Sequence, residues 1–147
     1  MSASEQKVRS DVEEFGWHVV TVGAQSGPDF GFTIGLHQTF GHPEVLMIGL
    51  PDHMLRNVLN VVGENVKSGA RYSAGASYSG ILEGHQCAFR SVPGDRFPEY
   101  LGYAIRFYAG VGFPCIQCIW PDRLGRFPWR PEASNADRAA QPVLSVS

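Results

Sequence analysis

The stretch Gly31–Pro51, GFTIGLHQTFGHPEVLMIGLP, decides how the rest of the chain is read. Two apolar runs, Phe32–Leu36 and Glu44–Leu50, have the length and composition of strands. Between them lies a polar connection, His37-Gln-Thr-Phe40-Gly-His42-Pro43, with two histidines and an aromatic. Gly31, Gly35 and Gly49 fall in or beside the strands, where a missing side chain marks a bulge or a close backbone approach. Pro51-Asp52 then opens a helix. A connection between strand ends is a usual place for function. Nothing in it names a reaction.

Upstream, Ser2–Phe15 reads as an amphipathic helix. Ser2 and Glu5 have capping-box spacing, Val8, Val12 and Phe15 recur at helical intervals, and Gly16 is the stop. Trp17–Val22 reads as a strand, and Gly23–Asp29 as the loop back, so the first three strands predict an antiparallel meander. Downstream, Asp52 caps a helix reaching about Ser68, with Leu55, Val58, Leu59, Val62 and Val66 in one stripe. Ala70–Gly80 reads as a weak edge strand or hairpin arm, and Ile81–Val92 as a better strand. A third helix is predicted over roughly Pro98–Tyr108, a strong strand over Cys115–Trp120, and a short hairpin over Pro121–Trp129.

Strands interrupted by helices with short links predict an α+β fold: a mainly antiparallel sheet with about three helices packed on one face. Residues 1–130 are expected to form this single domain, and residues 131–147 a loose C-terminal tail, poor in large apolar groups. Removing that tail is expected to change the melting temperature little.

A chain of 147 residues, 44% hydrophobic and 18% charged, suits one globular domain with a real core. A net charge of -2 with no basic run gives no footprint for nucleic acid or for an acidic membrane surface. No apolar run reaches membrane-span length and the N-terminus has no signal-peptide core, so the cytoplasm is the expected compartment. Cys87, Cys115 and Cys118 are an odd number for a disulfide framework, and reduced thiols are expected.

Five segments occur in order: FGWHVV from Phe15, FTIGL from Phe32, GHPEVLMIGLP from Gly41, YLGYAIRFYAG from Tyr100 and FPCIQCIWPDRLGRFPW from Phe113. In this the chain resembles a family of small bacterial proteins catalogued as domain of unknown function 4262, from about Ser10 to Trp129. The resemblance implies a single-domain bacterial protein of actinobacterial type. It brings no settled activity and no catalytic residue to place here.

Four groups of residues could carry chemistry. His37, His42 and Glu44, with His53 and His85 elsewhere, have the types for a two-histidine, one-carboxylate metal centre, but their spacing fits no strong metal motif. Cys115 and Cys118 have the spacing of a redox pair, yet in a strand they point to opposite faces and read as inert, buried thiols. Glu83, His85 and Cys87 alternate onto one strand face like acid, base and nucleophile, although next-but-one neighbours stand about 7 Å apart, too far for a thiol–imidazole bond. Phe40 and Tyr103 are hard to place in the core and, together with Arg106 and Glu44, are candidates to bind a flat or anionic ligand. P-loop, dinucleotide, nucleophile-elbow and zinc-protease motifs are absent.

The preferred reading is a binding or accessory module for a small molecule or a protein partner, with homo-oligomerisation left open. The alternative is a small enzyme using His37 and His42 with His85 or Cys87, with or without a divalent metal. No cofactor is named by the sequence. His37 and His42 are expected at the mouth of a pocket, so His42→Ala should cost at most about 1–2 kcal/mol. Shortening Ile34 or Leu46 should cost about 2–5 kcal/mol.

Overall fold

The computed structural model describes residues 2–24 and 26–145. Helix α1, Ala3–Phe15, begins where the Ser2 hydroxyl accepts the Glu5 N–H and ends at Gly16, whose N–H closes on the Val12 carbonyl. Strands β1 (His18–Val22), β2 (Phe30–Ile34) and β3 (Glu44–Ile48) form the expected meander, with His18 opposite Ile34 and Phe30 opposite Ile48. Between β2 and β3 the polar connection is a short helix, α2, Leu36–Phe40. Gly35 turns the chain out of β2 at φ 110°. A Cβ there would lie 2.8 Å from the Gly16 carbonyl oxygen, so both the backbone angle and the space require glycine.

Helix α3 spans Asp52–Lys67 and buries the predicted valine and leucine stripe. Strands β4 (Ser77–Leu82) and β5 (His85–Ser91) are joined at Glu83-Gly84. The expected single strand Ile81–Val92 is therefore divided by a hairpin turn. A 3-10 turn at Gly94–Arg96 leads into α4 (Phe97–Tyr100) and α5 (Gly102–Tyr108). One helix was expected here, but Leu101 leaves helical geometry, at φ -110° and ψ 31°. Strand β6 is Cys115–Ile119 and α6 is Asn135–Ala140. Residues 121–130 contain turns and no strand. Asp122 organises them by accepting the Leu124 and Arg126 N–H groups.

The sheet order is β1-β2-β3-β6-β5-β4. Strands β3 and β6 run parallel, with Glu44 opposite Cys115 and Leu46 opposite Gln117. The sheet is thus mixed, correcting the mainly antiparallel expectation. The physical reason is that EVLMI and CIQCI are buried at every position. Strands covered on both faces are where parallel pairing occurs. About three helices on one face is also corrected: six occur among the described residues, and both faces are covered. On one side α3 packs with Val45, Met47, Phe89, Ile116 and Cys118. On the other, Val8 and Val12 of α1 and Ala104 of α5 pack with Phe32, Ile34, Leu46 and Ile48.

The segment after residue 130 is not loose over 134–145. Ser134 and Asp137 form a reciprocal capping box on α6. The Gln141 amide donates to the Trp120 carbonyl and accepts the Trp120 N–H. Gln117 in turn donates to the Pro142 carbonyl and accepts the Leu144 N–H, and Leu144 is 3% exposed. Two buried glutamines do the docking that large apolar groups usually do, which hid it from a count of apolar residues. Residues 146 and 147 lie outside the described residues.

Among the described residues no helix is long and apolar enough to cross a membrane. One close contact fixes α3 on the sheet. A Cβ on Gly63 would lie 2.3 Å from the Trp17 ring, whose indole N–H donates to Asn60. Gly63→Ala is therefore expected to destabilise by about 1–3 kcal/mol, although alanine is the better helix former. Denaturant unfolding followed by tryptophan fluorescence checks this. A gain in stability would mean the indole moves aside without cost.

Candidate functional site

Glu44 is the first residue of β3 and is fully buried. Its Oε1 accepts the Thr33 hydroxyl at 2.9 Å and the Leu36 N–H at 3.2 Å. Its Oε2 accepts the Gly35 N–H at 2.9 Å, the His37 N–H at 3.2 Å and a short bond from the Tyr108 hydroxyl. Thr33 passes the network on by accepting the Val45 N–H. Burial raises the carboxyl above its ordinary range, while Tyr108, Thr33 and the backbone donors pull it back. The Tyr108 phenol is pushed far up by burial and by the carboxylate it faces, so it keeps its proton and donates. A carboxylate has about four lone-pair sites. Five donors fill them, leaving none for a metal ion or ligand. Glu44, a candidate for both roles, instead fastens the left-handed turn at Gly35 and the start of α2.

His42 is 1% exposed and bridges two parts of the chain. One ring nitrogen, Nδ1, lies 2.8 Å from the Pro43 carbonyl, and Nε2 accepts the Tyr72 N–H at 3.0 Å. These partners fix the neutral tautomer with the proton on Nδ1. The ring also meets Tyr72 edge-on at 6.0 Å. His42 is therefore buried and bonded within the fold, and a larger stability loss is expected than the sequence alone suggests. His42→Ala should cost about 2–3 kcal/mol, because it leaves the Tyr72 N–H unpaired and opens a cavity.

Burial, helped by the Arg71 charge, holds the imidazole below its ordinary value against an opposing pull from the Pro43 carbonyl. The unfolded chain then binds this proton first as pH falls. His42's contribution is complete above about pH 6.5 and declines below it, by at most about 1.4 kcal/mol per pH unit. Unfolding of the wild type and His42→Ala between pH 7.5 and 5.5 checks the sign. The gap between the two proteins should narrow on acidification.

The remaining candidates do not come together. His37 sets its ring edge-on against Tyr108 at 5.8 Å, and its buried Nδ1 has no partner among the described residues. His53 is exposed on the first turn of α3. His85 is half-buried beside the hairpin turn, and Glu83 lies in that turn, so the alternating Glu83–His85–Cys87 face does not form. Cys87 is buried and its thiol meets Cys118, not an imidazole. The bond to Cys87 and burial hold the Cys118 thiol well above the ordinary range, and burial does the same for Cys115. Such thiols are poor nucleophiles. All three cysteines are unlinked, with Cys115 and Cys118 in opposite cores as alternation predicts. Among the described residues no three His, Cys, Asp or Glu side chains are grouped to hold a metal. Phe40 is partly buried and packs against Trp17 and Gly16.

Tyr103 and Arg106 stand elsewhere. Tyr103 is 39% exposed, with the Arg106 guanidinium 5.8 Å from its ring. Tyr103 borders a groove of about 690 Å³ whose floor is residues 18–23. Its walls come from α1, through Ala3, Ser4, Lys7 and Val8, and from Arg56 of α3. A second hollow of about 330 Å³ continues along His18 and Val19 toward Phe15, Asn60 and Glu64. Because α1 and α3 lie on opposite faces, the groove runs along the outer edge of β1, which is an end strand. That edge was not foreseen as a site. The available signal was HVVTV, a short β-branched run with no proline or internal charge to blunt it.

Residues 11–134 match the family described as Domain of unknown function (DUF4262). The chain belongs to this family. The match takes in β1, Glu44 with its donors, and His42, and ends before α6. No curated protein and no solved structure matches the chain.

Proposed function

We propose that this member of the family is a partner-binding module, and that its docking surface is the open edge of β1. The observation that carries this reading is a strand edge lying at the floor of a groove between two helices. An extended segment laid there would continue the ladder as a seventh strand, with backbone bonds giving affinity and the helix walls reading its side chains. The opposite edge is less suited. Strand β4 has a register shift between Tyr78 and Leu82, with Gly80 at φ 87°, and such irregularity disfavours pairing. The hollow of about 540 Å³ near it is lined by that hairpin alone, Ser79–Gln86.

Of the residues an enzyme would need, His42, Cys87 and Glu44 are each engaged by partners within the fold. A photo-crosslinking residue at position 22, compared with one at position 79, tests the proposal in cells that make the protein. A discrete adduct at position 22 and none at 79 is expected. Equal labelling at both edges, or none at position 22, would overturn it.

A further inference from the structure

Resting on the docking role of the β1 edge, we infer that its occupant is an extended peptide segment carrying acidic side chains at one end. The reason is charge. The walls and floor of the larger hollow include Lys7, His18 and Arg56 and no aspartate or glutamate. A small adjoining hollow shares Val8 and Tyr103 and adds Arg9 and Arg106. Its one acid is Glu5, on the first turn of α1 and partnered by Ser2.

Ion pairing neutralises Lys7, through Asp11, but not the arginines. Among the described residues Arg9, Arg56 and Arg106 enter no salt bridge. Arg56 bonds a neutral group, the Thr21 hydroxyl at 2.7 Å, and Arg106 lies by the Tyr103 ring. A chain whose net charge is -2 thus sets three arginines that enter no salt bridge in these two adjoining hollows, with Asp29 beside Gly23 and Glu5 as the acids near them. The other end of the groove differs. There Arg56 and Lys7 line the hollow as well, but two acids balance them: Asp11, held by Lys7 at 2.9 Å and His18 at 2.6 Å, and Glu64, near exposed Phe15.

The occupant therefore has a direction. Its acidic residues lie against Thr21–Gly23, Arg56 and Tyr103, and neutral or apolar residues lie against His18 and Phe15. Strand pairing supplies affinity without regard to sequence, and the arginines select the charge and fix the register.

The experiment selects a library of random twelve-residue peptides on the purified full chain. Amide protection at residues 18–22 is then measured by NMR hydrogen exchange with each selected peptide bound. Expected are peptides with clustered Asp or Glu at one end that protect these amides. Replacing their acids by lysine should weaken binding by about tenfold or more, as should R56E combined with R106E at unchanged melting temperature. Peptides that protect β1 but show no acidic excess, and bind R56E/R106E equally well, would overturn the acidic occupant and leave edge docking intact. Selected peptides that protect no β1 amide would overturn both. Protected β1 amides and a dimeric mass in the peptide-free protein would assign the edge to a second copy of the chain and overturn the inference.

Discussion

Replacing Glu44 by alanine is expected to destabilise the protein by about 3–5 kcal/mol, as much as a large core deletion. The substitution removes one side chain but strands five donors: Thr33 Oγ, Tyr108 Oη and the N–H groups of Gly35, Leu36 and His37. All lie around a buried position where water does not replace the carboxylate at once. Tyr108→Phe removes a single donor and should cost about 1–2 kcal/mol. Urea unfolding of the two single variants and the double variant measures how far they share one network. If Glu44→Ala costs no more than Tyr108→Phe, the carboxylate is not the hub of the turn. Glutamine is no substitute here, because its amide would turn a donor toward donors.

Cutting the chain after Pro131 is expected to lower the melting temperature by on the order of 10 °C, the opposite of what composition predicts. Three losses combine. Leu144 leaves the core, which costs about 1.5–3 kcal/mol. The β6 residues Gln117 and, just beyond it, Trp120 lose the bonds exchanged with Pro142, Leu144 and Gln141. The Ala140 carbonyl, which would lie 2.3 Å from a Cβ on Gly49, no longer covers that turn. A milder change, Gln141→Ala, should lower the transition by a smaller amount in the same calorimetric scan. A truncated chain that melts with the full one would show these contacts to be incidental.

Local signals in the sequence were read well where one element decides them by itself. The cap at Ser2, the stripe of α3 and the meander β1–β3 follow from spacing and from neighbouring turns. Face alternation placed Cys115 and Cys118 in separate cores. What failed depended on pairs far apart in the chain. EVLMI and CIQCI are equally apolar whether their partner runs parallel or antiparallel, so strand direction was not legible. The absence of alternation within both runs was the available hint that helices cover two faces. The polar candidates misled for a related reason. His42 and Glu44 look like site chemistry, yet Tyr72 and Tyr108, remote in sequence, complete their bonds. Phe40 and Tyr103 were the aromatics hard to place in the core; Phe40 packs on Trp17, whereas Tyr103 is 39% exposed, and Lys7, Arg9 and Arg56 come near it only once α1 and α3 flank β1.

The parallel pairing of β3 with β6 also governs when the protein becomes foldable during synthesis. The β1–β3 meander emerges from the ribosome first, yet the inner edge of β3 waits for Cys115–Ile119, made much later. Until then the nascent chain holds EVLMI with one flank unpaired, a strongly β-forming segment without its cover. Long-range closure of this kind slows folding and places it after β6 and the docking glutamines have emerged. Nascent chains stalled before Cys115 should be cut by thermolysin within residues 44–48, and released full-length chains should resist. The middle of this sheet is closed last, so every nascent chain that stops short of β6 leaves β3 open to mispairing.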